Sequence, residues 1–186
     1  MFNSIFPINL SAFWTQKEQA DKCSKQIGTW LYDTGSLTKK LESICQYFHV
    51  ELASQKIVEA TDLNLSGYFS DTKKILVREV FLYCDNVPVI FAQTEIPIST
   101  LLGENDQLSE IGTESLGNIL FQDPTMRRGL IEVAHFTKKS QLTTLETLLN
   151  QKFDHSLWAR RSFFYLNKKP LLVSELFLPA AALYLS

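Results

Sequence analysis

Two charged residues, Arg78 and Glu175, lie in segments that otherwise have the pattern of buried β-strands. Because side chains alternate between the two faces of a strand, each charge shares its face with apolar residues of segments 75–82 and 171–178. A buried charge without a partner is costly. In a structural interpretation, Arg78 and Glu175 pair with each other, or one points to solvent from an edge strand. In a functional one, they line a cavity where the arginine binds a substrate carboxylate and the glutamate handles a proton or hydroxyl.

The other polar residues of the predicted strands favour structural explanations. Glu79 and Glu132 are expected to face solvent or pair with a basic side chain, and Arg160 and Arg161 are expected to form a basic pair at the surface or at a pocket mouth. The three histidines are scattered, which predicts no metal site. The chain also lacks the GxSxG, GxGxxG and GxxxxGK[ST] patterns, so nothing in it indicates a hydrolase elbow, a dinucleotide site or a P-loop.

Length and composition indicate one globular domain over residues 1–186. The apolar fraction of 45 % excludes a disordered chain, and a net charge of -2 argues against a nucleic-acid partner. Three widely spaced cysteines indicate free thiols in a reducing compartment rather than a disulfide framework. With no signal peptide and no apolar run long enough for a membrane span, we expect a cytoplasmic, soluble protein without stable membrane insertion.

The order of predicted elements gives the fold class. Spacings of three and four predict a helix over 15–31, and Ser36 can cap a second helix that ends near Tyr47. Strands follow at 48–53, 74–84 and 88–96, a helical turn at 116–121, a strand at 130–136, a surface helix at 138–150, and a hairpin with strands 158–166 and 170–178 around the turn 167–169. This order predicts an α+β fold, in which helices cover one face of a single antiparallel sheet.

Five segments, found in the same order over nearly the whole chain, resemble the chorismate lyase family. They are SLTKKLE at 36–42, VREVFL at 77–82, LGNILF at 116–121, LWARRS at 157–162 and KPLLVSELFLP at 169–179. The last is the most specific. The resemblance implies a lyase that removes pyruvate from chorismate and releases 4-hydroxybenzoate, the entry to ubiquinone synthesis, with no cofactor and no metal. It also implies an enclosed ligand pocket under helical flaps.

The same resemblance assigns roles to four residues. Arg78 would bind the ring carboxylate of the substrate, and Leu37 and Leu116 would contribute backbone N–H groups beside it. Glu175 would meet the ring hydroxyl end, either as a proton-transfer group or as an orienting group. The partners implied are chorismate and 4-hydroxybenzoate alone, and we expect a monomer.

The chain departs from the family pattern at several points. Gln93 stands where an arginine is common, which raises the expectation of weaker ligand binding or of compensation by Arg160 or Arg161. Leu37 replaces a methionine, a change that a backbone contact tolerates, and 137–156 is longer than the usual connection. A second interpretation is a non-catalytic domain of the same fold that senses a small carboxylate for a transcription regulator, although no basic recognition helix precedes the hairpins.

Overall fold

The computed structural model describes residues 13–16, 23–63, 69, 72–137 and 139–184. Within these ranges the strands are β1 (Phe48–Glu59), β2 (Lys74–Cys84), β3 (Val87–Pro97), β4 (Arg127–Phe136), β5 (Leu157–Leu166) and β6 (Lys169–Phe177). The helices are α1 (Lys25–Leu31), α2 (Leu37–Glu42), α3 (Leu116–Gln122) and α4 (Lys139–Leu148). Short 3₁₀ turns occur at Ala60–Leu63, Ile98–Leu101, Asp106–Ser109 and Ala182–Tyr184.

All six strands form one antiparallel sheet in the order β1-β2-β3-β6-β5-β4. The hairpins β2–β3 and β5–β6 turn through Asp85-Asn86 and Asn167-Lys168, whose φ values lie between 48° and 65°. This left-handed conformation suits asparagine and aspartate, and two-residue turns of this kind match the twist of the flanking strands. The α+β class and the single antiparallel sheet are therefore confirmed.

Helices pack against both faces of the sheet, whereas the sequence predicted helices on one face. Residues of α1 and α2 join one cluster with Val80, Ile90 and Phe177. Leu142 and Leu145 of α4 are buried on the opposite face, against Phe136, Phe81 and other residues. The predicted surface helix is thus amphipathic and closes the second face of the core.

The N-terminal elements are shorter than predicted. Helix α1 begins at Lys25, because the side chain of Ser24 accepts a hydrogen bond from the backbone N–H of Ile27 and caps the helix. Thr15, which the sequence placed in that helix, instead pairs with Val133 in an isolated antiparallel bridge. Positions 17–22 of the predicted helix lie outside the described residues. Helix α2 ends at Glu42 rather than near Tyr47.

Two further expectations concern membranes and metals. None of the helices in the described ranges has the length and apolar character needed to cross a membrane. In the same part of the chain, no three histidine, cysteine, aspartate or glutamate side chains gather in an arrangement that could hold a metal ion.

Candidate active site

A cavity lies between the sheet and the helices α2 and α3. Its walls combine apolar side chains with three arginines and one glutamate. The lining includes Leu37, Thr38, Val50, Arg78, Val80, Leu82, Ala92, Thr94, Ser115, Leu116, Gly117, Leu120, Phe121, Arg128, Arg160, Phe164, Val173 and Glu175. All four residues that the sequence selected, Leu37, Arg78, Leu116 and Glu175, therefore lie around one space.

Arg78 is a buried cation with no carboxylate bound to it among the described residues. Its side chain is 2 % exposed, and Nη2 donates hydrogen bonds of 2.9 Å to the backbone oxygens of Gly112 and Glu114. Its Nε is buried and donates no hydrogen bond to any residue that the structure describes. Burial lowers the pKa of Arg78 to about 10, so the guanidinium keeps its charge at neutral pH. Such an uncompensated charge suits an anionic ligand.

Glu175 pairs with Arg160, not with Arg78. The two residues face each other across β5 and β6, and Arg160 Nε donates a 2.5 Å hydrogen bond to Glu175 Oε2. Nη1 of Arg160 also donates to the backbone oxygens of Trp30 and Asp33, which joins the end of α1 and the loop after it to the sheet. Arg160 is 1 % exposed and lines the cavity, so for this residue the prediction of a surface pair is wrong and the alternative, a position at the pocket, is the one observed.

Arg78 and Glu175 lie at different ends of the cavity. Arg78 in β2 pairs with Thr94 of β3. Glu175 in β6, on the other side of β3, pairs with Ala92, which is two residues before Thr94. With strands about 4.8 Å apart and a rise of about 3.3 Å per residue, their Cα atoms are roughly 12 Å apart. Both side chains line the cavity, so they reach it from positions that are well separated on the sheet.

The N-termini of α2 and α3 meet above the cavity. Leu37 and Leu116 are the first residues of these helices, where backbone N–H groups have no partner inside the helix. Thr38 Oγ1 and Ser115 Oγ share a 2.5 Å hydrogen bond between the two helices. Gly117 permits this approach, since a Cβ atom there would lie 2.6 Å from Thr38 Oγ1.

Arg128 is a cavity residue that the sequence did not single out. In β4 the pairing with β5 shifts by one residue between Arg128 and Ile131, so a bulge places both on the cavity face. Strict alternation would instead put Arg128 on the face of Leu130, which is 71 % exposed. Arg128 Nε donates to Ser162 Oγ at 3.1 Å, and its guanidinium lies 5.0 Å from the ring centre of Phe164.

Gln93 lies on the face of the sheet opposite the cavity. It faces Glu79 across β2 and β3, and its Nε2 donates a 3.0 Å hydrogen bond to Glu79 Oε1. Both side chains are buried, so the prediction that Glu79 faces solvent is wrong. Arg161 points to the same face, where its Nε bonds Glu132 Oε2 at 2.8 Å. Neither Gln93 nor Arg161 lines the cavity, and the expected effect of Gln93 on ligand contact has no basis in this geometry.

The fold and the cavity define an α+β domain with a cavity between its sheet and the helices α2 and α3, which form two flaps over it. The same fold occurs in the effector domain of PhnF from Mycobacterium smegmatis, with a TM-score of 0.60 and 16 % identity over 78 % of this chain and 89 % of that one. It also occurs in the C-terminal domain of the histidine utilization repressor from Pseudomonas syringae, with a TM-score of 0.53 and 13 % identity over 72 % and 92 % of the two chains. At these identities the likeness extends to the fold alone.

Sequence similarity is more specific than the fold. The family model described as "Chorismate lyase" matches residues 8–185. A protein of Psychromonas ingrahamii named "Probable chorismate pyruvate-lyase" is 50 % identical over 98 % of both chains. One of Pseudoalteromonas translucida with the same name is 39 % identical over 96 % of this chain and 98 % of that one. The chain belongs to the chorismate lyase family.

Proposed function

We propose that this protein is a chorismate pyruvate-lyase, which converts chorismate to 4-hydroxybenzoate and pyruvate and so supplies ubiquinone synthesis. The observation that carries the proposal is the uncompensated, buried guanidinium of Arg78 in the same cavity as the carboxylate of Glu175. Chorismate has a ring carboxylate at one end of its ring and the reacting carbons at the other. The two side chains lie in the matching order along the cavity.

Anchoring begins at the ring carboxylate. In our proposal Arg78 binds this group, and the backbone N–H groups at Leu37 and Leu116, which have no partner inside their own helices, donate to it from the flaps. An ion pair formed in a cavity with apolar walls is stronger than one in water, because little solvent screens it. The carboxylate also supplies the negative charge that the buried Arg78 lacks.

The elimination occurs at the Glu175 end. The proton on the hydroxyl-bearing carbon leaves, the neighbouring C–O bond to the enolpyruvyl group breaks, and the electron pair of the C–H bond completes the aromatic ring. The leaving group departs as the enolate of pyruvate and takes up a proton to become pyruvate. Because aromatisation drives the reaction, the protein has mainly to position the substrate and accept or guide one proton. Glu175, held by Arg160, is the group we assign to this task.

A second candidate function is sensing without turnover. It is favoured by one observation, that the solved structures with this fold include an effector domain and a repressor domain. The family membership of the chain favours the enzyme. The monomeric state and the cytoplasmic location are predictions from the sequence.

A direct assay separates the two functions. The purified protein is incubated with chorismate, 4-hydroxybenzoate is followed by its ultraviolet absorbance, and pyruvate is measured separately by lactate dehydrogenase and NADH. We expect both products in equal amounts, without added metal and well above the rate in a protein-free control. Calorimetric binding of 4-hydroxybenzoate with no product formation from chorismate would identify the sensor.

A further inference from the structure

The charges around the cavity exceed what one carboxylate requires. Among the described residues, three guanidinium groups line it, from Arg78, Arg128 and Arg160, and one carboxylate, from Glu175. The described lining therefore has a net charge of +2, which equals the charge of a dicarboxylate ligand in magnitude and opposes it in sign. Arg78 accounts for one of the two excess positive charges. Arg160 and Glu175 form an ion pair and cancel each other's charge, so Arg128 carries the other excess charge.

Arg128 is the cation that supplies this second charge. Its Nη1 donates to the backbone oxygen of Asp33, which also accepts a hydrogen bond from Arg160 Nη1. The two guanidinium groups are therefore neighbours, and Arg128 stands at the Glu175 end of the cavity. Burial, followed by the charge of Arg160, lowers the pKa of Arg128 to about 10, while Glu175 and Asp33 act in the opposite direction. At neutral pH Arg128 remains a cation.

The hydrogen bonds of Arg128 leave a donor for a ligand. Nε bonds Ser162 Oγ, and Nη1 bonds the backbone oxygens of Asp33 and Gly35. All of these acceptors are uncharged, and within the described part of the chain no carboxylate forms an ion pair with Arg128. Its Nη2 donates no hydrogen bond in that same part. Arg160, by contrast, is held by Glu175 and two backbone oxygens.

We propose that Arg128 binds the second carboxylate of the substrate, on the enolpyruvyl group, and so distinguishes the dicarboxylate substrate from its monocarboxylate ring product. This inference rests on the proposed function, because it assigns a residue to the other end of the same substrate. The enolpyruvyl ether joins the ring next to the carbon that loses its proton. Its carboxylate therefore extends beyond the reacting carbons, away from Arg78 and towards the end where Arg128 lies.

The proposal predicts different roles for the two arginines. Arg78 contacts the carboxylate that substrate and ring product share, so it contributes to the affinity for both. Arg128 contacts the carboxylate that leaves with pyruvate, so it contributes to the affinity for chorismate alone. Loss of pyruvate then leaves one cation of the cavity without its anion.

Two stable aromatic acids test this assignment without turnover. The compound 3-(carboxymethoxy)benzoate places a second carboxylate on an ether at the same ring position as in chorismate, and 3-methoxybenzoate lacks only that carboxylate. Their affinities are measured by calorimetry for the wild type, Arg128→Gln and Arg127→Gln. Arg127 is the matched control, because it is the adjacent arginine, is exposed, and donates to the backbone oxygens of Pro124 and Met126.

We expect Arg128→Gln to weaken the binding of 3-(carboxymethoxy)benzoate about tenfold to a hundredfold, the range for a charge-assisted hydrogen bond. The affinity for 3-methoxybenzoate should stay within about twofold of the wild-type value. Arg127→Gln should change neither. Arg128→Lys, which keeps the charge, should recover part of the dicarboxylate affinity. Equal losses for both acids, or no loss for either, would overturn the assignment. A wild-type protein that fails to convert chorismate would overturn the proposed function instead. The affinities for the two acids would still test the role of Arg128, because their measurement requires no turnover.

Discussion

Arg160 and Glu175 face each other directly across β5 and β6, with 2.5 Å between Arg160 Nε and Glu175 Oε2. The arginine is almost fully buried, whereas the glutamate side chain retains 16 % of its exposure on the cavity side of the sheet. The ion pair therefore fixes the direction of a carboxylate that a ligand can still reach. It also occupies one carboxylate oxygen, which makes Oε1 the atom that we propose meets the substrate.

Replacement of Glu175 by glutamine tests its role in proton transfer. Because glutamine keeps the shape and can still accept from Arg160, we expect a folded protein whose kcat falls about a hundredfold or more, with a smaller change in KM. The matched control is Glu132→Gln, which alters a similar arginine pair on the opposite face of the sheet. A kcat that stays near the wild-type value in Glu175→Gln would leave Glu175 with an orienting role only.

Arg78→Met tests the anchor for the ring carboxylate. The binding free energy of 4-hydroxybenzoate should become less favourable by about 1.5–3 kcal/mol, the value of a hydrogen bond to a charged group. The activation free energy that corresponds to kcat/KM for chorismate should rise by a similar amount. We expect little loss of thermal stability, because removal of an uncompensated buried charge offsets the two lost bonds to backbone oxygens. Calorimetry and thermal melts measure the two effects. Unchanged affinity for 4-hydroxybenzoate would remove Arg78 from this role.

The faces of Arg78 and Glu175 were predictable, but their partners were not. A period of two places each charge among apolar neighbours, and both residues do line one cavity. The partner of Glu175 depends on the length of the β5–β6 turn. The sequence suggested a three-residue turn, 167–169, which would place Arg161 opposite Glu175, whereas the observed turn is the two residues Asn167-Lys168 and places Arg160 there.

Two other features that the sequence did not predict depend on local backbone geometry and on packing. A bulge in β4, which sequence alternation cannot reveal, brings Arg128 into the cavity. The close contact between α2 and α3 depends on Gly117 and on long-range packing, since Thr38 and Ser115 are far apart in the chain. Alternation identified the residues of single strands, but it gave no information on contacts between elements.

Gly117→Ala tests the contact between the flaps. The new Cβ would lie 2.6 Å from Thr38 Oγ1, so either the Thr38 side chain rotates or α2 and α3 separate, and both changes disturb the Thr38–Ser115 hydrogen bond. We expect a lower melting temperature and weaker binding of 4-hydroxybenzoate. The control is Gly28→Ala in α1, where the nearest atom to a new Cβ is 3.9 Å away and alanine favours the helix. If both variants behave alike, the flap contact has no part in ligand binding.

His135 makes the stability of the protein depend on pH. Its ring stacks on Trp158 at 4.1 Å, its Nε2 lies 2.8 Å from Ser156 Oγ, and burial lowers its pKa below 6.5. Between the folded and unfolded pKa values the unfolded chain binds more protons, so the free energy of unfolding rises with pH in that window. The contribution of His135 is thus complete above about pH 6.5 and declines as the pH falls below it.

His135→Phe removes this titration and keeps an aromatic ring against Trp158. We expect the loss of stability between pH 7.5 and about pH 5 to be smaller in the variant than in the wild type. Urea unfolding at each pH measures the free energy of unfolding of both proteins. The comparison at pH 7.5, where His135 is neutral, separates the proton effect from the loss of the bond to Ser156. Parallel pH profiles for the two proteins would show that His135 does not carry the effect.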